Sequence, residues 1–388
     1  MSKTYNNIPF KELEFKMFVI DEMCDSLSNI RNDIIKLTLG KSELPLSNLI
    51  REELSYSLND LEKSNLVYPE GLPTLRDAIT KFYNTNDLNI QKNSVIINTG
   101  TSPLYRELLS LLITSENDEV LIPKPFYSLY YVCSLLAGAK IKFYDIDVSN
   151  GEISINSFFN AYNPKSTKLV FLCSPGNPLG NIISKSTFSK IIEIVGNNSF
   201  IISDEMYSNV WFDYKPVSIL TVSPIPNHNI IVSGGFSKGF RMYTRRVGYF
   251  ILPEQLVLPF RVIQQHTLLT VDPATQFAAG KALQLPEEVN ALTEVYKERR
   301  DYTVTKLSHH KKIYPILSHG GFYFSIDVSN YMKINNIKSS FDLSLDILEN
   351  TGVGVVPGSD FGYDNLIRLS FTNKNYNEAI DRLALYFR

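Results

Sequence analysis

From residue 95 onward, short apolar, β-branched runs alternate with longer stretches whose apolar residues recur at helical spacing. The runs are 95–98, 119–122, 141–146, 169–173, 200–203, 230–233 and 247–252, with helical segments such as 104–112 and 188–195 between them. Runs apolar at nearly every position suit strands buried on both faces, and the intervening helices supply the crossovers of a mostly parallel, doubly wound sheet. Only a loop separates the last two runs, so one of that pair is expected to be antiparallel.

Around this block the pattern changes. Residues 1–38 mix charge with spaced apolar positions (Phe15, Phe18, Ile20, Met23) and predict a helical arm leading to an extended piece at 34–39. Helices are predicted over 45–61 and 74–83, with a glycine- and proline-bearing loop from Tyr68 to Pro73 between them. After Pro253 a weakly broken helical stretch runs through Gln265 and resumes from Gln276 to Arg300. A strand at 320–327, a turn at 353–359, a strand at 367–371 and a helix from Asn377 follow. The fold class expected is α/β. A large domain, 40–275, holds a mostly parallel seven-stranded sheet flanked by helices. Both chain ends, 1–39 and 276–388, form a smaller α+β domain.

Composition narrows the function classes. A net charge of −2 without long runs of one sign leaves no electrostatic footprint for nucleic acid or an anionic membrane. Apolar runs fall short of the roughly 20 residues that span a bilayer, and the charged first segment lacks the apolar core of a signal peptide. Cys24, Cys133 and Cys173 are scattered, and the five histidines do not join them at metal-ligand spacing. A reduced, cytoplasmic protein without a structural metal is expected.

In open parallel sheets, ligands bind beyond the carboxyl ends of the strands. After the first run comes Gly100-Thr101-Ser102, opening a helix. The second leads to Phe126-Tyr127, and the fourth to Ser174-Pro175-Gly176-Asn177-Pro178-Leu179-Gly180. Asp204-Glu205-Met206-Tyr207 follows the fifth and Ser237-Lys238 the sixth. An anion site, an aromatic, an amide, a carboxylate with a phenol, and an amine thus converge. That set suits a phosphorylated, aromatic, nitrogen-containing aldehyde.

These stretches carry a specific resemblance. From about Leu39 to Thr372 the chain resembles the fold-type I pyridoxal-phosphate enzymes, and within them the aspartate aminotransferase-like class I/II family. Ser237-Lys238 with Arg246-Val247-Gly248-Tyr249 resembles the family's SKxxxxxxxR motif and its Gly-Tyr pair. Ser203-Asp204-Glu205-Met206-Tyr207 is similar to SDExY, the Asn177 loop to NPxNPTG, and Arg368-Leu369-Ser370-Phe371 to RLSF.

The resemblance implies pyridoxal 5'-phosphate as cofactor and a role for each matching residue. Lys238 would form a Schiff base with it, then serve as general acid and base. Asp204 would pair with the pyridine nitrogen, although an aspartate there also suits a helix cap. Asn177 and Tyr207 would bond the phenolate oxygen, and Tyr127 would stack on the ring. Gly100, Thr101 and Ser102 would bind phosphate at a helix start, with Ser237 and Arg246. Tyr68 would reach the phosphate of a neighbouring subunit, which implies a homodimer with shared sites. Arg368 would grip the substrate α-carboxylate, which Gly40 lets the backbone approach.

The departures are also informative. Gly235 replaces the serine common three positions before the lysine, so one phosphate contact is lost or passes to Ser233. Arg241, Arg245 and Lys41 would make a basic entrance that favours acidic substrates, whereas Tyr127, Tyr68 and Phe322 suit aromatic or long apolar ones. The activity implied is transfer of an amino group between an L-amino acid and a 2-keto acid. Elimination, cyclisation or oxidase chemistry on the same cofactor is the alternative, and a catalytically silent ligand sensor the third.

Overall fold

The computed structural model describes residues 2–5, 8–11, 15, 17–84, 88–222 and 229–388. Residues 1, 6–7, 12–14 and 16 of the anticipated arm lie outside the described residues. The arm's helix is Met17–Ser28, and Ser2–Tyr5 pairs with Ile8–Lys11 as a two-stranded antiparallel sheet.

All seven anticipated strands form one sheet. They are β1 (Val95–Asn98), β2 (Glu119–Lys124), β3 (Lys140–Asp145), β4 (Thr167–Cys173), β5 (Phe200–Asp204), β6 (Ile230–Gly235) and β7 (Gly248–Ile251). Their order is β1-β7-β6-β5-β4-β2-β3. Every neighbouring pair is parallel except those of β7, which is antiparallel to both β1 and β6. The β6–β7 connection carries Lys238 and holds no crossover helix, so the chain returns antiparallel.

The continuous apolar runs reflect burial on two sides. Ile97, Leu121, Val170, Leu172, Ile201 and Val232 pack into one core. Their alternating neighbours Ile96, Val120, Ile122, Phe171, Ile202 and Ile231 pack into another. Helices Lys185–Val195, Pro73–Tyr83 and Pro273–Ala282 cover the first face; Thr101–Leu112, Ser128–Ala137 and Glu254–Thr267 cover the second. The exception is β3, an edge strand on which only Tyr144 is fully buried. Its Lys140 and Lys142 blunt the open edge against pairing with another chain.

The helical stretch after Pro253 resolves into three helices: Glu254–Thr267, Pro273–Ala282 and Pro286–Leu307. Pro273 and Pro286 each occupy a first turn, where their missing N–H is harmless but a preceding helix cannot run through. Beyond them lies a second sheet of β8 (Tyr314–Ile316), β9 (Tyr323–Asp327), β10 (Val356–Pro357) and β11 (Leu366–Ser370), in the order β8-β9-β11-β10 and wholly antiparallel. The expected turn at 353–359 is instead two short strands and a 3-10 turn, Gly358–Phe361. One of those strands, Val353–Gly354, pairs in parallel with Ile35–Lys36 and so ties the two ends of the chain together. Among the described residues, no helix is long and apolar enough to cross a membrane.

Candidate active site

Register brings the strand ends to one place. Cys173 of β4 stands opposite Asp204 of β5, and Asp204 opposite Ser233 of β6. Because β7 runs backward, its first residue, Gly248, faces both Gly235 at the end of β6 and Asn98 at the end of β1. Arg246, two residues before Gly248, therefore lies against the start of helix Thr101–Leu112. A Cβ on Gly100 would come within 2.6 Å of the Arg246 guanidinium, and Gly100 holds φ +90, which favours glycine.

A cavity of about 500 Å³ opens above these ends. At one end Thr101, Ser102, Ser237 and Arg246 line it. Arg246 donates to the Tyr243 carbonyl at 2.9 Å and the Ser237 hydroxyl at 3.3 Å. A helix N-terminus, three hydroxyls and a guanidinium form an anion site.

Asp204, Asn177, Tyr207 and Tyr127 line the middle. The groups that bond the Asp204 carboxylate are neutral: the Tyr130 hydroxyl at 2.5 Å and the Met206 amide at 3.1 Å. Burial without a cation raises its pKa above the usual carboxylate range. A turn, not a helix, follows Asp204, so the helix-cap alternative does not hold. Asn177 accepts from Arg368 through Oδ1 at 3.2 Å, which leaves its Nδ2 as a donor for the cavity.

Lys238 lines the same cavity. Its Nζ donates to the Gly40 carbonyl at 2.7 Å and lies 5.2 to 5.9 Å from the rings of Tyr207, Tyr243 and Phe322. Burial lowers its pKa, Tyr323 opposes the shift, and Arg368 and Arg246 add to it. Arg368 is 4% exposed, yet it bonds an amide and the Thr38 carbonyl rather than a carboxylate, and its Nε has no partner. A Cβ on Gly40 would fall 2.1 Å from the Tyr323 hydroxyl and 3.0 Å from Lys238 Nζ. Gly40→Ala is accordingly expected to displace both groups and lower kcat/KM by about 100-fold, as measured by steady-state kinetics beside a denaturation curve that confirms folding.

Not every anticipated residue joins the cluster. Tyr68 does not line the cavity of its own chain; its backbone is tied to Thr270 at 3.3 to 3.4 Å. Ser233 takes over no phosphate contact, because its hydroxyl bonds Tyr105 at 2.6 Å inside the core. Gly235 sits in a tight place: a Cβ there would lie 3.1 Å from the Val247 carbonyl and 3.3 Å from the Gly248 Cα. The basic entrance fares no better. Arg241 is an ion-pair partner of Glu288, which also accepts from the Ser47 hydroxyl at 2.7 Å, and Arg245 is exposed outside the cavity. Arg241 thus braces the lysine loop. Glu288→Ala, which leaves that guanidinium unpaired, is expected to cost about 1–3 kcal/mol by urea denaturation. Residues unforeseen at the site are Cys173, Tyr323, Met206, Tyr243 and Thr244. Nothing local marks Tyr323: the register of β9 on β11 places it on the face that carries Arg368.

The model of one protein family, aminotransferase class I and II, matches residues 32–383. The chain belongs to the class I and II aminotransferases. Among its relatives is an asparagine–oxo-acid transaminase of Streptococcus mutans, 26% identical over 91% of each chain. An aspartate aminotransferase of Thermotoga maritima is 28% identical over 99% of this chain and 98% of its own. The crystal structure of a T. maritima aspartate aminotransferase superposes with a TM-score of 0.85 at 26% identity, covering 98% of both chains. An alanine aminotransferase of Pyrococcus furiosus shares the fold, with a TM-score of 0.88 at 24% identity over 97% of this chain and 98% of its own. The function that family and relatives support is amino-group transfer. Aminotransferases of this family use pyridoxal phosphate, with amino acids and keto acids as substrates.

Proposed function

We propose that this aminotransferase moves an amino group between an L-amino acid and a 2-keto acid, with pyridoxal phosphate held at Lys238. The observation that carries the reading is a pair of buried charges lacking counterions. Asp204 needs a cation and Arg368 an anion, and both lie close enough to Lys238 to shift its pKa. A ligand that joins a protonated ring nitrogen to a substrate carboxylate satisfies both.

When bound, the cofactor supplies an aldehyde that captures amines and a ring that accepts the electron pair released at the substrate Cα. The remaining work falls to the chain. The amides and hydroxyls at Thr101 and Ser102, with Ser237 and Arg246, hold the phosphate. Asp204 would keep the ring nitrogen protonated, Asn177 would hold the ring oxygen, with Tyr207 once its O–H turns from Tyr323, and Tyr127 would pack on the ring. Arg368 and the Gly40 backbone orient the α-carboxylate. Lys238, its pKa lowered by burial, would take the proton from the substrate Cα as general base and give it back as general acid. Relatives are named for aspartate, asparagine and alanine. What those substrates share is the α-amino carboxylate, the part Lys238 and Arg368 address.

The same reading makes the protein a homodimer. Leu258 and Val262, one turn apart on helix Glu254–Thr267, are exposed, as are Val67 and Leu269 beside the Tyr68–Thr270 contact. A second copy on this face would cover that apolar patch and bring Tyr68 to its partner's phosphate. Absorbance spectra test the chemistry. An amino acid should convert the yellow cofactor form to the amine form, and a keto acid should restore it. Should neither half-reaction occur with any of the twenty amino acids and their keto acids, the assignment fails.

A further inference from the structure

Arg368 is held by groups that belong to distant parts of the chain. Its Nη1 donates to Asn177 Oδ1 at 3.2 Å and its Nη2 to the Thr38 carbonyl at 2.5 Å. These bonds fix the edge of the guanidinium but not the tilt of its plane. Two aromatic rings approach it instead: Tyr323, with its centroid 4.2 Å from Cζ, and Phe361 at 4.9 Å.

The Tyr323 contact follows from sheet register. β9 and β11 are antiparallel, with Ser325 opposite Arg368 and Tyr323 opposite Ser370. Tyr323 and Ser325 share a face, so Tyr323 is the diagonal neighbour of Arg368, a separation a long side chain can bridge. The ring is itself held at its far end. Its hydroxyl accepts from Tyr207 at 3.1 Å and rests against Gly40. Burial alone would raise the Tyr323 phenol, yet Lys238 and Arg368 bring it below its ordinary value.

We propose that Tyr323 is the positioning residue of Arg368: its ring face sets the plane in which the guanidinium meets the substrate α-carboxylate. The proposal rests on the carboxylate-binding role given to Arg368 above. The ring carries this effect and the hydroxyl does not, since the hydroxyl lies against Gly40 at the opposite end of the side chain.

Calorimetric titration of the cofactor-loaded protein with succinate and with 3-phenylpropionate, carboxylates that lack an amino group, tests it. Loss of a desolvated cation–π contact predicts about a tenfold weaker Kd for Tyr323→Leu, and about native affinity, within roughly twofold, for Tyr323→Phe. Tyr323→Met, closer in volume, repeats the test if leucine disturbs the fold, with retained cofactor absorbance as the control. Because Tyr323 acts through Arg368, Tyr323→Leu combined with Arg368→Gln should bind no more weakly than Arg368→Gln alone. Native affinity in both Tyr323→Leu and Tyr323→Met, or losses that multiply in the double variant, would overturn the proposal. Native affinity in Arg368→Gln would overturn the role of Arg368 itself, and the proposal with it.

Discussion

Replacing Lys238 with alanine should lower amino-group transfer by about four orders of magnitude or more, because the proposed mechanism makes one side chain both covalent anchor and proton carrier. No neighbour can take over. The hydroxyl of Tyr207 is held far above its ordinary pKa by burial, and the Tyr323 hydroxyl is occupied by Tyr207. Lys238→Arg should fail as fully, since a guanidinium does not give up its proton in a protein. The purified variant should also lose the yellow colour that depends on the lysine linkage. Single-turnover mixing with an amino acid is the decisive measurement, and a rate within tenfold of the native protein would remove Lys238 from the centre of the chemistry.

The second large effect concerns Arg368. Arg368→Gln removes the charge while keeping an amide that can still bond Asn177 and Thr38. Loss of a buried, charge-assisted carboxylate contact amounts to about 3–4 kcal/mol, or two to three orders of magnitude in kcat/KM. The loss should fall mainly on KM if the contact is equal in ground and transition states, and on both constants if it also aligns the Cα proton with Lys238. Arg368→Lys should recover little, for an ammonium cannot fill the flat slot between Tyr323 and Phe361 or present two parallel donors. Equal kcat/KM for the native protein and Arg368→Gln would show that another group binds the carboxylate.

Much of this architecture could be read from the chain because its signals are local. A strand covered on both faces writes its burial into consecutive residues, so all seven runs appeared where strands stand. Lys238, Asp204, Asn177 and Gly100 directly follow those strands, or nearly so, and were found with them. Relations made through pairing stayed hidden. Tyr323 meets Arg368 only through the register of two strands, and Arg241 meets Glu288 across 47 positions. The hydroxyl of Ser233 has the right chemistry for phosphate, but Tyr105, 128 positions away, holds it in the core. Helix Ser128–Ala137 has few polar residues in its sequence, SLYYVCSLLA, and so shows little of the periodicity by which a surface helix is recognised.

The backward course of β7 bears on how the chain must fold. In the sheet β1 has no neighbour except β7, so the first strand made waits for the last. Asn98 meets Gly248 across 248 − 98 = 150 positions, a loop closure that local contacts cannot shorten. On the ribosome, β2 to β6 can associate as they emerge, while β1 has no strand partner until the lysine loop has been synthesised. The two halves of the anion site, Gly100 and Arg246, therefore come together only at that closing step, and a nascent chain halted before residue 248 would hold neither phosphate nor a finished sheet.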